Sequence, residues 1–225
     1  MTTPKYILFD VDGTLVQMHK GFMPGLIARL LHEIGREDAV IDGTSYAGRT
    51  DRDIFTQLLE DNDMDVGQYD TFRQLYVRLL DEMLHSGVID RLAGSVEAIE
   101  HCLSRGHHVG LLTGNFREAA FIKLNRTGLD SYFEYGAFGG DEANRNKLPA
   151  QAFSKAKSFI PDLKPENMVI IGDTPRDIAC ARHFGCISVG VATGPYSREQ
   201  LAEHSPDMVL DDMSRPESWV AALGA

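Results

Sequence analysis

Short apolar, β-rich runs recur along the chain at Tyr6–Phe9, Val109–Leu112, Tyr135–Phe138, Val169–Ile171, Ile187–Val191 and Met208–Leu210. Each predicts a short buried strand. From Gly94 onward helical patterns separate them: Val96, Ile99 and Leu103 share one face of Ser95–Arg105, and Gly106 stops it. Arg117–Thr127 stops at Gly128 and Asp177–Phe184 at Gly185, the same glycine C-cap signal. Ser197 with Gln200, and Ser214 with Glu217, predict capping boxes that open the last two helices. Strands alternating with helices imply an α/β fold with a doubly wound parallel sheet. Such sheets bind ligands at the carboxyl ends of their strands.

The alternation breaks between Val16 and about Arg91. Gly25–Ile34, Asp51–Glu60 and Tyr69–Ser86 read as consecutive helices with no strand between them, and Tyr69, Phe72, Tyr76, Leu79, Leu80 and Met83 keep the spacing of one apolar face. The expected organisation is a core made of residues 1–15 and 92–225, with a small all-helical cap inserted at 16–91.

Composition limits the partners. A net charge of −11 and a pI near 5.1 argue against nucleic acid or an anionic membrane surface. They also mean that local cations must overcome the global field if the ligand is an anion. The three cysteines, Cys102, Cys180 and Cys186, lack metal-ligand spacing, and their odd number speaks against a disulfide framework. Reduced thiols in the cytosol are expected. The start of the chain shows no secretory signal pattern, and no apolar run approaches membrane-spanning length.

Chemistry gathers at the expected strand ends. The first run leads into Asp10-Val11-Asp12-Gly13-Thr14, two aspartates one residue apart before a turn. Carboxylates at the end of a buried strand are costly unless something requires their charge; a divalent cation with a phosphoryl group would. The second strand ends in Thr113-Gly114-Asn115, and the fourth in Gly172-Asp173-Thr174-Pro175 with Asp177 further on. Arg145 and Lys147 stand ahead of a helix entered through Pro149.

This ordered set resembles the haloacid dehalogenase superfamily, most nearly its phosphoglycolate-phosphatase-like members with a helical cap. The resemblance implies an Mg²⁺-dependent phosphomonoesterase acting on a small phosphorylated metabolite. Asp10 would be nucleophile and metal ligand, and Asp12 the general acid and then base, with its backbone carbonyl on the metal. Thr113, Gly114 and Asn115 would hold the phosphoryl group, Asp173 would be the second metal carboxylate, and Asp177 would orient a metal-bound water at the metal site or favour the N-terminus of its helix. The aspartate at position 12 points to phosphate esters, because members that cleave carbon–halogen bonds lack it. The cation stays open between two residues. Lys147 fits the superfamily spacing but is followed by Leu148 where that pattern has proline, while Arg145 fits an Arg-Asn-x-Leu-Pro variant. Gly48-Arg49-Thr50-Asp51 resembles a cap segment in which Arg49 would touch substrate, with Thr50 or Asp51 capping the next helix. His19 and Lys20 are expected at the surface, and His101, His107 and His108 are not expected to form a zinc site. A phosphomutase of the β-phosphoglucomutase type shares the core residues, and a non-catalytic binding protein on this fold is the remaining alternative. Oligomeric state is not legible.

Overall fold

Four apolar residues, all fully buried, form β1 (Tyr6–Phe9), the strand around which the rest is arranged. A computed structural model describes residues 4–39 and 46–223 of the chain. In chain order β1 is followed by β2 (Val16–Met18), α1 (Phe22–Glu33), α2 (Asp51–Asp61), α3 (Tyr69–Met83) and β3 (Ile89–Arg91). Then come α4 (Ser95–Ser104), β4 (His108–Thr113), α5 (Arg117–Thr127), β5 (Gly136–Phe138) and α6 (Leu148–Ala156). The chain closes with β6 (Met168–Gly172), α7 (Pro175–Phe184), β7 (Ile187–Val191), α8 (Arg198–Ala202), β8 (Met208–Leu210) and α9 (Pro216–Ala222).

Six strands form one sheet in the order β5-β4-β1-β6-β7-β8, with every pair parallel. Tyr6 lies between His108 of β4 and Met168 of β6. Ile7 and Phe9 join the larger core with Leu111 and Ile171, whereas Tyr6 and Leu8 join the smaller one with Leu112 and Ile170. Burial on both faces is why these strands read as continuous apolar runs rather than alternating ones. Strand order reverses direction at β1, between β4 and β6. A crevice therefore opens at the carboxyl ends of β1 and β6.

The insert departs from the all-helical expectation. Val16–Met18 pairs antiparallel with Ile89–Arg91, a two-stranded ribbon at the base of the three helices. Three residues are too few to show a period, and only the return of the chain beside Val16 supplies the hydrogen bonds. The Ser214–Glu217 box does not form either. Pro216 opens α9, Arg215 occupies the cap position without a side-chain bond, and the Ser214 amide is taken by Asp212 at 2.7 Å. The Ser197–Gln200 box is present. So is one at Thr174–Asp177, which starts α7 two residues earlier than its apolar pattern suggests. Among the described residues, no helix is long and apolar enough to cross a membrane.

Two of the insert helices, α2 and α3, meet the core through aromatic rings. Phe55 stacks on Phe116 with centroids 5.6 Å apart, and Tyr76 packs edge-on to the same ring at 6.0 Å. Backbone bonds tie the start of α2 to the loop after β4: Asp51 N donates to Gly114 O at 2.6 Å. Gly114 is required there, since a Cβ would overlap the Arg49 carbonyl oxygen.

Candidate active site

Asp10 leaves β1 with its amide still bonded to Ile171 O at 2.9 Å, so the sheet ladder itself aims the residue. The chain then turns sharply. Gly13 has φ +74°, and a side chain there would run into the carboxylate of Asp173. Asp173 directly follows β6, and Asp177 lies in the first turn of α7. The carboxylate oxygens of Asp10, Asp173 and Asp177 lie within 4.8 Å of one another, and all three residues are buried.

Arg145 reaches this trio from a 3₁₀ turn over Arg145–Lys147. Its Nη2 is 3.0 Å from Asp10 Oδ2 and also donates to Asp177 Oδ1, and its Nη1 donates to Gly48 O at 3.3 Å. The other Asp177 oxygen accepts from Thr174 N at 3.0 Å and Thr174 Oγ1 at 2.7 Å. Asp177 therefore caps α7 and orients Arg145, with both oxygens engaged. Lys147 does not join the site: its side chain is 63% exposed and faces Glu142 at 3.4 Å. Two residues along a turn of three per revolution point in different directions, so the backbone admits only one of the two cations. Arg145→Ala is expected to lower kcat/KM by about a hundredfold or more, the scale of losing a charge-stabilising donor, whereas Lys147→Ala should stay within about twofold. Steady-state kinetics beside thermal melts check this; silence of both variants would place the essential cation elsewhere.

Three buried carboxylates face one guanidinium, and fully ionised they would leave a charge of about −2 in a poorly solvated space. Burial raises the Asp10 pKa despite Arg145, and burial together with the charges of Asp177 and Asp10 raises that of Asp173. Burial alone would lower the Arg145 pKa, but Asp177 and Asp10 outweigh it and keep the guanidinium charged. Hard oxygen donors carrying excess negative charge suit a hard divalent cation.

Beside the trio lies a second polar unit. Lys123 is 2% exposed, and its Nζ donates to Asp12 Oδ2 and Asn115 Oδ1, both at 2.6 Å. Asn115 Nδ2 donates to Asp12 Oδ2 at 2.7 Å and to Thr113 Oγ1 at 2.8 Å. The remaining Asp12 oxygen, Oδ1, is buried without a hydrogen-bond partner. Lys123 was missed in the sequence, although a signal existed. It shares the buried face of α5 with Ala119, Ala120 and Leu124, where a lysine needs a partner.

Arg49 lines the same cavity, but its guanidinium is held by Asp53 at 2.7 Å and Gln57 at 2.7 Å. Thr50 caps α2, and Asp51 accepts from Phe116 N at 2.7 Å. Burial pushes the Asp51 pKa up to about 6 against the opposing charge of Lys123. His19 pairs with Asp90 at the surface, and His107 Nδ1 accepts from Lys5 N. Among the described residues, no histidine joins a possible metal cluster.

A cavity of about 270 Å³ opens onto Asp10, Asp12, Gly114, Asn115, Lys123 and Arg145. The parallel sheet brings carboxylates from the ends of its central strands together at the switch point, and sequence comparison gives the chain a family. The family model described as haloacid dehalogenase-like hydrolase matches residues 7–191, and the chain belongs to that family. It is 26% identical over 208 residues to the pyrophosphatase PpaX of Anoxybacillus flavithermus, spanning 92% of this chain and 93% of that one. The PpaX of Bacillus pumilus is 26% identical over 227 residues, spanning 100% and 98%. Among solved structures, a predicted phosphoglycolate phosphatase from Haemophilus somnus superposes with a TM-score of 0.72 at 21% identity, over 98% of this chain and 99% of that one. A β-phosphoglucomutase from Clostridium difficile gives 0.71 at 20% identity, over 98% and 97%. These two show that the fold is shared.

Proposed function

We propose that this enzyme is a phosphomonoesterase that uses Mg²⁺ and passes through an aspartyl phosphate on Asp10. The observation that carries the reading is the state of Asp12: one oxygen is clamped by Lys123 and Asn115, and the other is buried with no partner. A carboxyl group so placed is ready to exchange a proton with a reacting oxygen. An Asp10 oxygen attacks phosphorus, the ester P–O bond breaks, and the leaving oxygen takes the proton from Asp12. Asp12 then accepts a proton from water as that water attacks the phosphorus, the bond to Asp10 breaks, and phosphate leaves. Thr113, with the amides of Gly114 and Asn115, holds the phosphoryl oxygens, and Arg145 balances their charge. Asp10, Asp173 and the Asp12 carbonyl would hold the ion, with Asp177 steadying Arg145 beside it. When bound, Mg²⁺ supplies positive charge for the phosphoryl oxygens and offsets the carboxylates.

In this reading residues 1–15 and 92–225 carry the chemistry, and 16–91 form the cap that selects a small phosphorylated metabolite. A cytosolic setting agrees with three buried, unpaired cysteines. The test is phosphate release from an aryl phosphate with Mg²⁺, with intact-protein mass after acid quench to catch one added phosphoryl group. A sugar monophosphate run in parallel separates hydrolysis from transfer. Isomerised sugar phosphate without free phosphate would replace this reading with a mutase.

A further inference from the structure

Behind the polar cavity lies a second one of about 250 Å³, enclosed by α1, α2 and α3. Its walls include Met23, Pro24, Ile27, Ile54, Phe55 and Leu58. The two cavities share Met23, Tyr46, Asp51, Ile54 and Tyr76, so the apolar space is an annex of the reaction site rather than a separate pocket. It is therefore open to part of a substrate whose phosphoryl group is held at Asp10.

We infer that this annex receives the leaving group, and that the substrate is a monophosphate ester of an apolar alcohol or phenol rather than an anionic small phosphate. This rests on the phosphomonoesterase reading and narrows its substrate class. Three observations support it. An apolar cavity of about 150 Å³ already accepts benzene, so the annex has room for roughly six to ten carbon atoms. Among its described lining residues there is no cation, so a second phosphate or a carboxylate that entered it would find no counter-charge there. The charged group it does present is Asp51, at the seam between the cavities, where a second anion on the substrate would be repelled. A substrate as small as pyrophosphate or phosphoglycolate would thus leave the apolar walls wet.

The test is a series of primary alkyl phosphates, n-propyl through n-decyl, measured with Mg²⁺ beside pyrophosphate and phosphoglycolate. The alkyl leaving groups have nearly the same basicity, so chain length reads binding in the annex and not the chemical step. Burial gains about fourfold per methylene. The expected result is therefore a rise in kcat/KM on the order of fiftyfold from n-propyl to n-hexyl, with n-hexyl phosphate above both anionic substrates. Ile27→Trp, which fills the annex, should cut the n-hexyl to n-propyl ratio by about tenfold. Flat chain-length dependence in the wild type, or a preference for pyrophosphate or phosphoglycolate, overturns the inference while leaving the phosphatase reading intact. If no phosphate is released from any ester, that broader reading falls first.

Discussion

Asp10→Asn is expected to lower turnover by on the order of 10⁴-fold or more, the scale seen when a covalent nucleophile is removed. The substitution changes almost no volume, and Asn retains an oxygen to accept the Val11 amide bond now made by Asp10 at 2.8 Å. It also removes one of three crowded carboxylates. The variant should therefore melt, free of metal, no lower than the wild type, so lost activity cannot be attributed to lost structure. No phosphoryl adduct should form in the quenched protein. Asp12→Asn makes the useful contrast, since it spares the nucleophile and removes the proton carrier. An aryl phosphate, whose leaving group needs little protonation, should still phosphorylate Asp10, and the adduct should persist because no base activates water. Wild-type rates from Asp10→Asn would sink the assignment.

Chelation has the other large effect. EDTA should abolish turnover and Mg²⁺ should restore it, because without the ion an incoming phosphate meets carboxylates balanced by a single guanidinium. Stability should respond too, in a pH-dependent way. Asp10 and Asp173 hold protons more tightly when folded than when unfolded, mainly through burial. Above the ordinary carboxylate pKa near 4, the folded state therefore binds more protons than the unfolded chain, so unfolding free energy falls as pH rises. Metal-free protein should lose melting temperature from about pH 5 upward, and Mg²⁺ should offset more of that loss at higher pH, where both groups give up their protons. At a concentration of about 100 Kd the ion adds roughly 2.7 kcal/mol, a shift of about 5–10 °C for a domain of this size. Activity surviving exhaustive chelation, or melting curves indifferent to Mg²⁺ at every pH, would end the metal assignment.

The parts of the site that could be read from the chain are those set by local sequence. A strand ending in Asp10, another ending in Thr113 and a third ending before Asp173 are contiguous features, and once parallel pairing is inferred their ends must converge. The glycine stops at Gly128 and Gly185 have left-handed φ values of 69° and 81°, as their residue type suggests. Other features depend on what returns from far along the chain. Lys123 looks like a misplaced charge in an apolar stripe until Asp12 and Asn115 arrive beside it. Arg145 and Lys147 are equivalent in composition, and the direction each takes from the 3₁₀ turn separates them. The Val16–Arg91 ribbon has no period of its own, and the apolar annex is a gap between three helices that no single helix encodes.

The sequence by itself determined the strand–helix alternation, the parallel sheet and the acidic strand ends, because periodicity and capping act over a few residues. Tertiary structure alone decided which cation meets Asp10, what holds Asp12, and where an apolar space remains, because each depends on side chains from distant segments sharing one poorly solvated volume.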